Sequence, residues 1–419
     1  MFKNFRQLFS STNKDLRKRI YFTLFCLGVF CLGTTITIPW ASVVYEELGF
    51  LEIFNLMSGG GLQQFSIFAL GVSPYITASI ITQLLQMDII PYFKELKEQG
   101  YVGRQKMNKI TRYLGIFFAF IQAYVFCIAY LGTKDVGMLM KTSLVMTAGT
   151  AFCLWMGDQI SKKGLGNGVS MLILAGIVQS MPRMFITAYE SFVTSGTYSV
   201  LTGNVLFGVY LTLYVLIIVG VVWVQIAERR IPIQYSNKTN SAYGAQQSFL
   251  PIKINAAGVL PVIFASTFTS IIIAIVNFVG NDKVIAFTNK WISYTSVTGF
   301  IIYMLLILFF GYFYTFLSMN PDDMSKNLNK NGGYIPGVRP GADTASYISN
   351  ILGKLTIFGT MFLIIIAGLP IIFSNVSKLP SSVTLGGTGL LIVVGVAIET
   401  YKQIESSLVS RSYKRSKRR

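Results

Sequence analysis

Long apolar runs separated by short polar segments dominate this chain. A helix needs roughly 20 apolar residues to cross the hydrocarbon core of a bilayer. The segments that reach this length lie at about 20–39, 66–87, 113–132, 142–160, 168–188, 205–226, 256–279, 299–318, 355–373 and 384–401. The pattern predicts ten membrane-spanning helices. The first is expected to be retained, because it is long and no small-residue cleavage site follows Pro39.

One phrase of the sequence occurs twice, as GVSPYITAS at Gly71–Ser79 and as GVLPVIFAS at Gly258–Ser266, with six of nine positions identical. Each copy contains a proline and lies in the second span of a five-span half. Because five is odd, the second half starts from the opposite side of the membrane, so an inverted repeat is expected. Such paired spans are typical of transport proteins whose path runs between the halves. The predicted halves are residues 1–204 and 205–419.

Composition and charge agree with a membrane location, since 53% of the residues are hydrophobic and only 12% are charged. A net charge of +18 would suggest a nucleic-acid partner, but 29 of the 35 lysines and arginines fall in the termini and loops of one side. The other side holds five lysines, with Arg183 near the outer end of span five. Because loops rich in lysine and arginine stay in the cytoplasm, both termini are predicted to be cytoplasmic.

The residues present disfavour several kinds of chemistry. The chain has no histidine, so the usual general base, proton relay and imidazole metal ligand are missing. Its four cysteines all lie within spans and are expected to be core thiols rather than zinc ligands. The run Gly164–Gly168 lacks the preceding strand and the Lys-Ser/Thr of a phosphate loop, so it is expected to end span four and begin span five. No cofactor is predicted.

Ionisable residues within the spans are confined to their ends, with Asp158 and Glu399 near the predicted cytoplasmic side. Ion-coupled transporters usually place carboxylates near the midplane. An ion-coupled solute transporter is therefore less favoured, although carbonyls and hydroxyls alone can bind sodium, and a polytopic membrane enzyme is disfavoured as well. Branched aliphatic side chains occupy the midplane instead. A narrow ring of them can close a pore by excluding water.

The segment 51–65 is amphipathic, too short to span a bilayer and interrupted by Gly59, Gly60 and Gly61. Two placements stay open on physical grounds. The segment could lie at the membrane interface, or it could fold back into a cavity, where irregular backbone is tolerated if it is shielded from lipid.

Several long motifs are similar to those of the bacterial SecY family. They are SGGGLQQFSIFALGVSPYITASIITQLL, GYVGRQKMNKITRY, TAGTAFCLWMGDQISKKGLGNGVSMLILAGIV, AERRIPIQY, LPIKINAAGVLPVIFAS, NPDDMSKNLNKNGGYIPGVRPG and GGTGLLIVVGVAIETYKQIESSL. They follow the family order over nearly the whole chain. The resemblance implies an all-α, ten-span channel, with no enzymatic activity, in the bacterial plasma membrane. Such a channel moves unfolded polypeptides across the membrane and releases hydrophobic segments sideways into lipid.

The resemblance also implies roles for individual residues. It assigns a pore ring to branched aliphatic residues of spans two, five, seven and ten, which are Ile76, Ile80, Ile173, Ile263 and Ile392, with Val169 as a neighbour. Ile76 and Ile263 are equivalent positions of the repeated phrase. The glycine-rich segment becomes a plug, the short helix that blocks the channel at rest. Its residues are Ile53, Phe54, Leu56, Met57, Gly59, Gly60 and Gly61.

A lateral gate is implied between spans two and three on one side and spans seven and eight on the other. Gln83, Gln86 and Gln122 either line this gate or form ordinary hydrogen bonds between helices. Loops 227–255 and 319–354 resemble the docking surface for the SecA motor and the ribosome, with Arg229, Arg230, Lys253 and Arg339 as contacts. Small SecE-like and SecG-like membrane subunits and signal peptides are the other implied partners. The tip SNKTNSAYGAQ carries few cations, which predicts weak docking to ribosomal RNA.

Overall fold

The structure is a computed structural model, which describes residues 14–41, 52–86, 90–131, 135–194, 199–235, 248–279, 282–292, 296–377 and 386–416. It is predominantly helical. The helices of the first half are α1 (Lys14–Thr35), α2 (Glu52–Met57), α3 (Ser73–Leu85), α4 (Pro91–Glu98), α5 (Gly100–Tyr130), α6 (Val136–Lys163) and α7 (Gly168–Tyr189), which continues into a π-helical turn at Glu190–Thr194.

The second half follows with α8 (Val200–Ile226), β1 (Glu228–Tyr235), β2 (Ser248–Lys253), α9 (Leu260–Val279), α10 (Asp282–Trp291), α11 (Val297–Ser318), α12 (Pro321–Lys330), β3 (Gly333–Tyr334), α13 (Ala342–Ser377) and α14 (Gly386–Ser416). Within the described part of the chain, six helices are long and apolar enough to cross a membrane by length and composition. They are α5, α6, α7, α8, α11 and α13.

The predicted span 66–87 forms a helix only from Ser73, because residues 67–72 run as turns. Pro74 lies in the first turn of α3, where the missing N–H of proline costs no helical hydrogen bond. Pro261 likewise is the second residue of α9. The prolines of the repeated phrase therefore begin helices and do not interrupt them.

The two copies of the repeated phrase share one backbone conformation. Gly71 and Gly258 have φ of +52° and +63°, a left-handed conformation that strongly favours glycine. After each glycine, the carbonyl of the following valine accepts two hydrogen bonds. The N···O distances are 3.1 and 3.3 Å at Val72 and again 3.1 and 3.3 Å at Val259. The sequence repeat is thus a structural repeat in which a left-handed glycine starts a helix.

A small antiparallel sheet, in the order β2-β1-β3, departs from the all-α prediction. Strand β1 pairs with β2 in the register Glu228↔Lys253 and with β3 in the register Gln234↔Tyr334. Together with α12 and the start of α13 the sheet encloses its own apolar core, formed by Ile231, Ile252, Ile335, Ile348 and Leu352. The segments 227–255 and 319–354, predicted only as loops, thus form a folded unit over the residues described.

Contacts between the halves include that of the π-helical turn at Glu190–Thr194 with α8, that of α2 with α14, and the two described next. Helix α14 of the second half packs against α7 of the first, and α9 of the second half contacts α5 of the first. Within each half, α3 packs on α5 and α9 packs on α11. The α5–α9 contact lies along the line where the lateral gate is predicted.

Candidate pore, plug and gate

Four isoleucines from four helices meet in one apolar cluster. Ile76 of α3, Ile173 of α7, Ile263 of α9 and Ile392 of α14 are 8%, 7%, 4% and 6% exposed. Two of these helices belong to each half, so the cluster lies between the halves. Partly buried Ile80 and Val169 pack against the same cluster. The structure therefore brings together all six residues that the resemblance assigned to a pore ring.

Helix α2 of the plug segment packs on this cluster. Leu56 and Met57 are buried in it, and α2 contacts α7 and α14. The side chains of Ile53 and Phe54 lie outside the described residues, although their backbone belongs to α2. Of the two placements left open by the sequence, the structure has the segment folded inside the protein rather than lying at an interface.

Hydrogen bonds close the plug segment onto itself. The amide N–H of Gly60 donates to the carbonyl of Asn55 at 2.8 Å, and that of Gly61 to the carbonyl of Ser58 at 3.3 Å. The Asn55 side-chain oxygen accepts from the Gln63 N–H at 3.1 Å. Asn55 and Ser58 are buried. These bonds satisfy backbone groups within the segment and fix its local shape.

The chain just after the plug segment is anchored to the first half. Ser66 forms a β-bridge with Thr37, and the Ile67 N–H donates to the Ile36 carbonyl at 3.0 Å. Phe65 is fully buried beside Phe126 of α5. A side chain on Gly149 of α6 would overlap the Ile67 carbonyl oxygen, so α6 approaches this backbone very closely.

The predicted gate glutamines do not act as one group. Gln122 of α5 donates to the Thr77 hydroxyl of α3 at 3.4 Å, whereas Gln83 bonds to Ser79 of its own helix at 3.3 Å. Gln86 is the residue that caps α3. Gln122 thus joins two helices on the same side of the predicted gate, which is the ordinary interhelical role that the sequence left open.

The opposite side of the predicted gate has a bond of the same kind. The Ser266 hydroxyl of α9 and the Tyr303 hydroxyl of α11 lie 3.0 Å apart. Each helix pair that flanks the predicted gate, α3 with α5 and α9 with α11, is therefore joined by a polar contact. The helices of one pair are thereby coupled to each other.

The sheet, α12 and the start of α13 form one folded unit, which we call the sheet unit. The predicted docking residues are all exposed on it. Arg229 and Arg230 lie on β1 and Lys253 on β2, and the Arg230 Nε donates to Glu228 at 2.9 Å. Arg339 lies in a turn held from two sides. Its carbonyl accepts from the Thr344 hydroxyl at 2.8 Å, and the Gly341 carbonyl accepts from Ser325 at 2.7 Å. The exposed Arg339 side chain is presented by a fixed backbone.

The glycine-rich run 164–168 connects α6 to α7, as the sequence predicts. Asn167 caps α7 by accepting from the Val169 N–H at 3.1 Å. The Leu165 N–H donates to Thr23 of α1 at 3.0 Å, and the Gly166 N–H donates to Gln403 of α14 at 2.7 Å. The run is a junction between helices of both halves.

Asp158 and the four cysteines lie on helices of the predicted spans. Asp158 of α6 forms an ion pair with Arg112 of α5. All four cysteines are free, and three of them are buried.

The profile of the SecY family matches residues 66–401. The chain belongs to the SecY family. The protein translocase subunit SecY of Bacillus subtilis is 44% identical over 415 residues, which are 96% of each chain. That of Staphylococcus aureus strain NCTC 8325 is 41% identical over 415 residues, again 96% of each.

Solved SecY-like structures share the fold. A structure described as a protein conducting channel has a TM-score of 0.68 at 18% identity, covering 94% of this chain and 93% of that chain. Sec61 in the canine ribosome-channel complex from the endoplasmic reticulum has a TM-score of 0.65 at 19% identity, with the same coverage. At such identities the likeness bears on the fold alone.

Sequence reasoning missed the small residues that let the plug segment pack closely. Gly176 of α7 touches the plug backbone, and Gln179, one turn later, accepts from the Thr34 hydroxyl of α1 at 3.1 Å. The available signal was the pair of small residues Ala175 and Gly176 on the helix that carries Ile173. That signal does not say which segment fills the space.

Proposed function

We propose that this protein is the pore subunit of a protein-conducting channel, which passes unfolded secretory polypeptides across the membrane and releases transmembrane segments into lipid. The observation that carries the proposal is the meeting of Ile76, Ile173, Ile263 and Ile392 between the two halves. A ring of branched aliphatic side chains excludes water at rest and binds nothing tightly, so it can widen around any chain. Membership of the SecY family supports a channel rather than an enzyme.

The proposed membrane arrangement has ten spans in two inverted halves, residues 1–204 and 205–419. Six helices of sufficient length and apolarity support it, as does the shared backbone of the two repeated phrases. The one-sided distribution of lysine and arginine supports cytoplasmic termini in a bacterial plasma membrane. The sheet unit then lies on the cytoplasmic side.

The proposed working cycle uses the plug and the gate in turn. The segment 51–65 covers the isoleucine ring at rest and leaves it when a signal peptide arrives. Lateral release occurs where α5 meets α9, because these helices belong to different halves and each is tied to its own partner helix. Parting the two pairs opens a path to lipid without breaking either tie.

The proposed energy source is a partner, either a SecA motor or a translating ribosome. The fixed turn at Arg339 and the exposed Arg229, Arg230 and Lys253 support docking on the sheet unit. SecE-like and SecG-like subunits are the proposed membrane partners. The ion-coupled solute transporter is not favoured, because the ionisable residues of the predicted spans lie near the span ends and not at the midplane, where a coupling ion would bind.

A photocrosslinking experiment tests the proposed path. A photoreactive amino acid replaces Ile263, or replaces Phe268, which is 47% exposed on the same helix. The two positions lie roughly 140° apart around α9. An arrested secretory polypeptide should crosslink to position 263 and not to position 268. Equal crosslinking at both positions, or crosslinking only at 268, would contradict a path through the isoleucine ring.

A further inference from the structure

The plug helix α2 approaches α7 too closely for any side chain at one position. A Cβ built on Gly176 would overlap the carbonyl oxygen of Met57 and lie 3.0 Å from the amide nitrogen of Gly59. We infer that Gly176 is the notch that positions the plug segment over the isoleucine ring and so sets how readily the channel opens. The inference rests on the proposed role of segment 51–65 as a plug.

The neighbouring polar group completes this notch. A Cβ on Gly59 would lie 2.8 Å from the Oε1 of Gln179, which is the oxygen that accepts the Thr34 hydroxyl at 3.1 Å. Gly59 also has a φ of +69°, so both the lack of space and the left-handed backbone favour glycine there. The contact between the plug segment and α7 thus has a glycine on each side, Gly59 and Gly176. The hydrogen bond from Thr34 of α1 holds Gln179 in place beside it.

A side chain at Gly176 would displace the plug rather than α7. Helix α2 has six residues and packs against α7 and α14, whereas α7 has 22 residues and also packs against α1 and α6. The atoms in the way are backbone atoms of Met57, which cannot rotate aside as the tip of a side chain can. The plug segment keeps its own hydrogen bonds, so it can move as a unit.

A second close contact, at Gly149, differs from the one at Gly176 because the chain seated on it is anchored by hydrogen bonds. Gly149 of α6 receives the Ile67 backbone, which is also held by the bridge between Ser66 and Thr37. That part of the chain is anchored by hydrogen bonds to residues 36–38, whereas the plug helix meets Gly176 through close van der Waals contact. The packing contact lies where the plug must leave.

The test compares Gly176→Ala and Gly176→Val in the full chain, in native membrane vesicles, by resting ion conductance. The matched control is Gly208→Val on α8, where an added Cβ meets nothing within 4 Å. Each substitution is also made in a chain that lacks residues 52–61. We expect Gly176→Val to leak as much as the deletion, Gly176→Ala to leak less, and Gly208→Val to stay tight. Adding Gly176→Val to the deletion should change nothing.

The outcomes separate this inference from the proposed function. If the deletion variant leaks ions while both Gly176 variants stay tight, the role inferred for Gly176 is contradicted and the proposed plug is retained. If Gly176→Val increases the leak of the deletion, it acts on the ring directly and the notch is again wrong. A deletion variant whose resting ion conductance stays low would contradict the proposal that segment 51–65 is a plug. If both Gly176 variants fail to accumulate while Gly208→Val accumulates, Gly176 serves α7 packing and the inference fails.

Discussion

At the scale of single residues, the candidate ring depends on the aliphatic character of its members, which lie in a wholly apolar cluster. Ile76, Ile173, Ile263 and Ile392 come from four helices and touch in one cluster. An aliphatic constriction blocks ions because water leaves it, and no binding energy has to be overcome when a polypeptide enters. A single polar group at this point would hold water by hydrogen bonding and weaken the barrier.

This argument predicts that Ile263→Asn makes the resting channel leak ions, with a larger leak when Ile76→Asn is added. The matched controls are Ile263→Val and Ile76→Val, which keep a branched aliphatic side chain and should leave the membrane tight. Conductance of reconstituted channels is the measurement. Asparagine variants as tight as the parent, singly and together, would remove these positions from the ring.

At the scale of elements, apolar length and the repeated phrase predicted the helices well, because both are local properties of the sequence. The start of α3 was misplaced, since apolar residues 67–72 run as turns and hydropathy does not register the left-handed Gly71. The sheet was missed because its strands lie in segments interpreted as loops, and β3 in addition pairs with β1 across about 100 residues. The candidate ring residues came from family motifs, whereas the Gly176 contact depends on three-dimensional packing that no motif encodes.

The left-handed start of α9 gives a prediction at this scale. Gly258→Ala adds a Cβ that meets nothing within 4 Å, so its cost is the backbone conformation alone. That cost is about 1–2 kcal/mol for an L-residue with positive φ. Gly208→Ala, in open space within α8, should instead be neutral or stabilising by up to about 1 kcal/mol. Thermal unfolding of the detergent-solubilised protein measures both. A Gly258→Ala midpoint at or above that of Gly208→Ala would contradict the argument.

At the scale of the whole molecule, the halves touch along α5–α9 at the predicted gate, along α7–α14, and where the π-helical turn meets α8. The isoleucines of the candidate ring lie between the halves. The Gly164–Gly168 run bonds to both α1 and α14, which adds a polar tie between the halves. The sheet unit is built entirely from the second half. If a partner applies force to this unit, the force reaches α9, which follows β2, and so acts on one side of the predicted gate.

Arg339 tests whether a partner applies force through that unit. If Arg339 served only to set topology, Arg339→Glu would be nearly silent, because the other lysines and arginines predicted on the same side remain. If its guanidinium binds an acidic or carbonyl-rich surface of the motor, charge reversal should cost roughly 2–5 kcal/mol of docking free energy. Lys326→Glu is the matched control, with the same charge change at an exposed position of neighbouring α12.

We expect Arg339→Glu to lower ATP-driven export into vesicles sharply and Lys326→Glu to leave it near the parent rate. The Arg339 turn is held by the Thr344 and Ser325 hydroxyls, which bond to backbone carbonyls and not to the guanidinium. The fold, membrane insertion and resting conductance should therefore be unchanged. Normal export by Arg339→Glu channels supplied with motor and ATP would sink the docking assignment. Equal losses in both variants would mean that overall charge, and not this turn, attracts the motor.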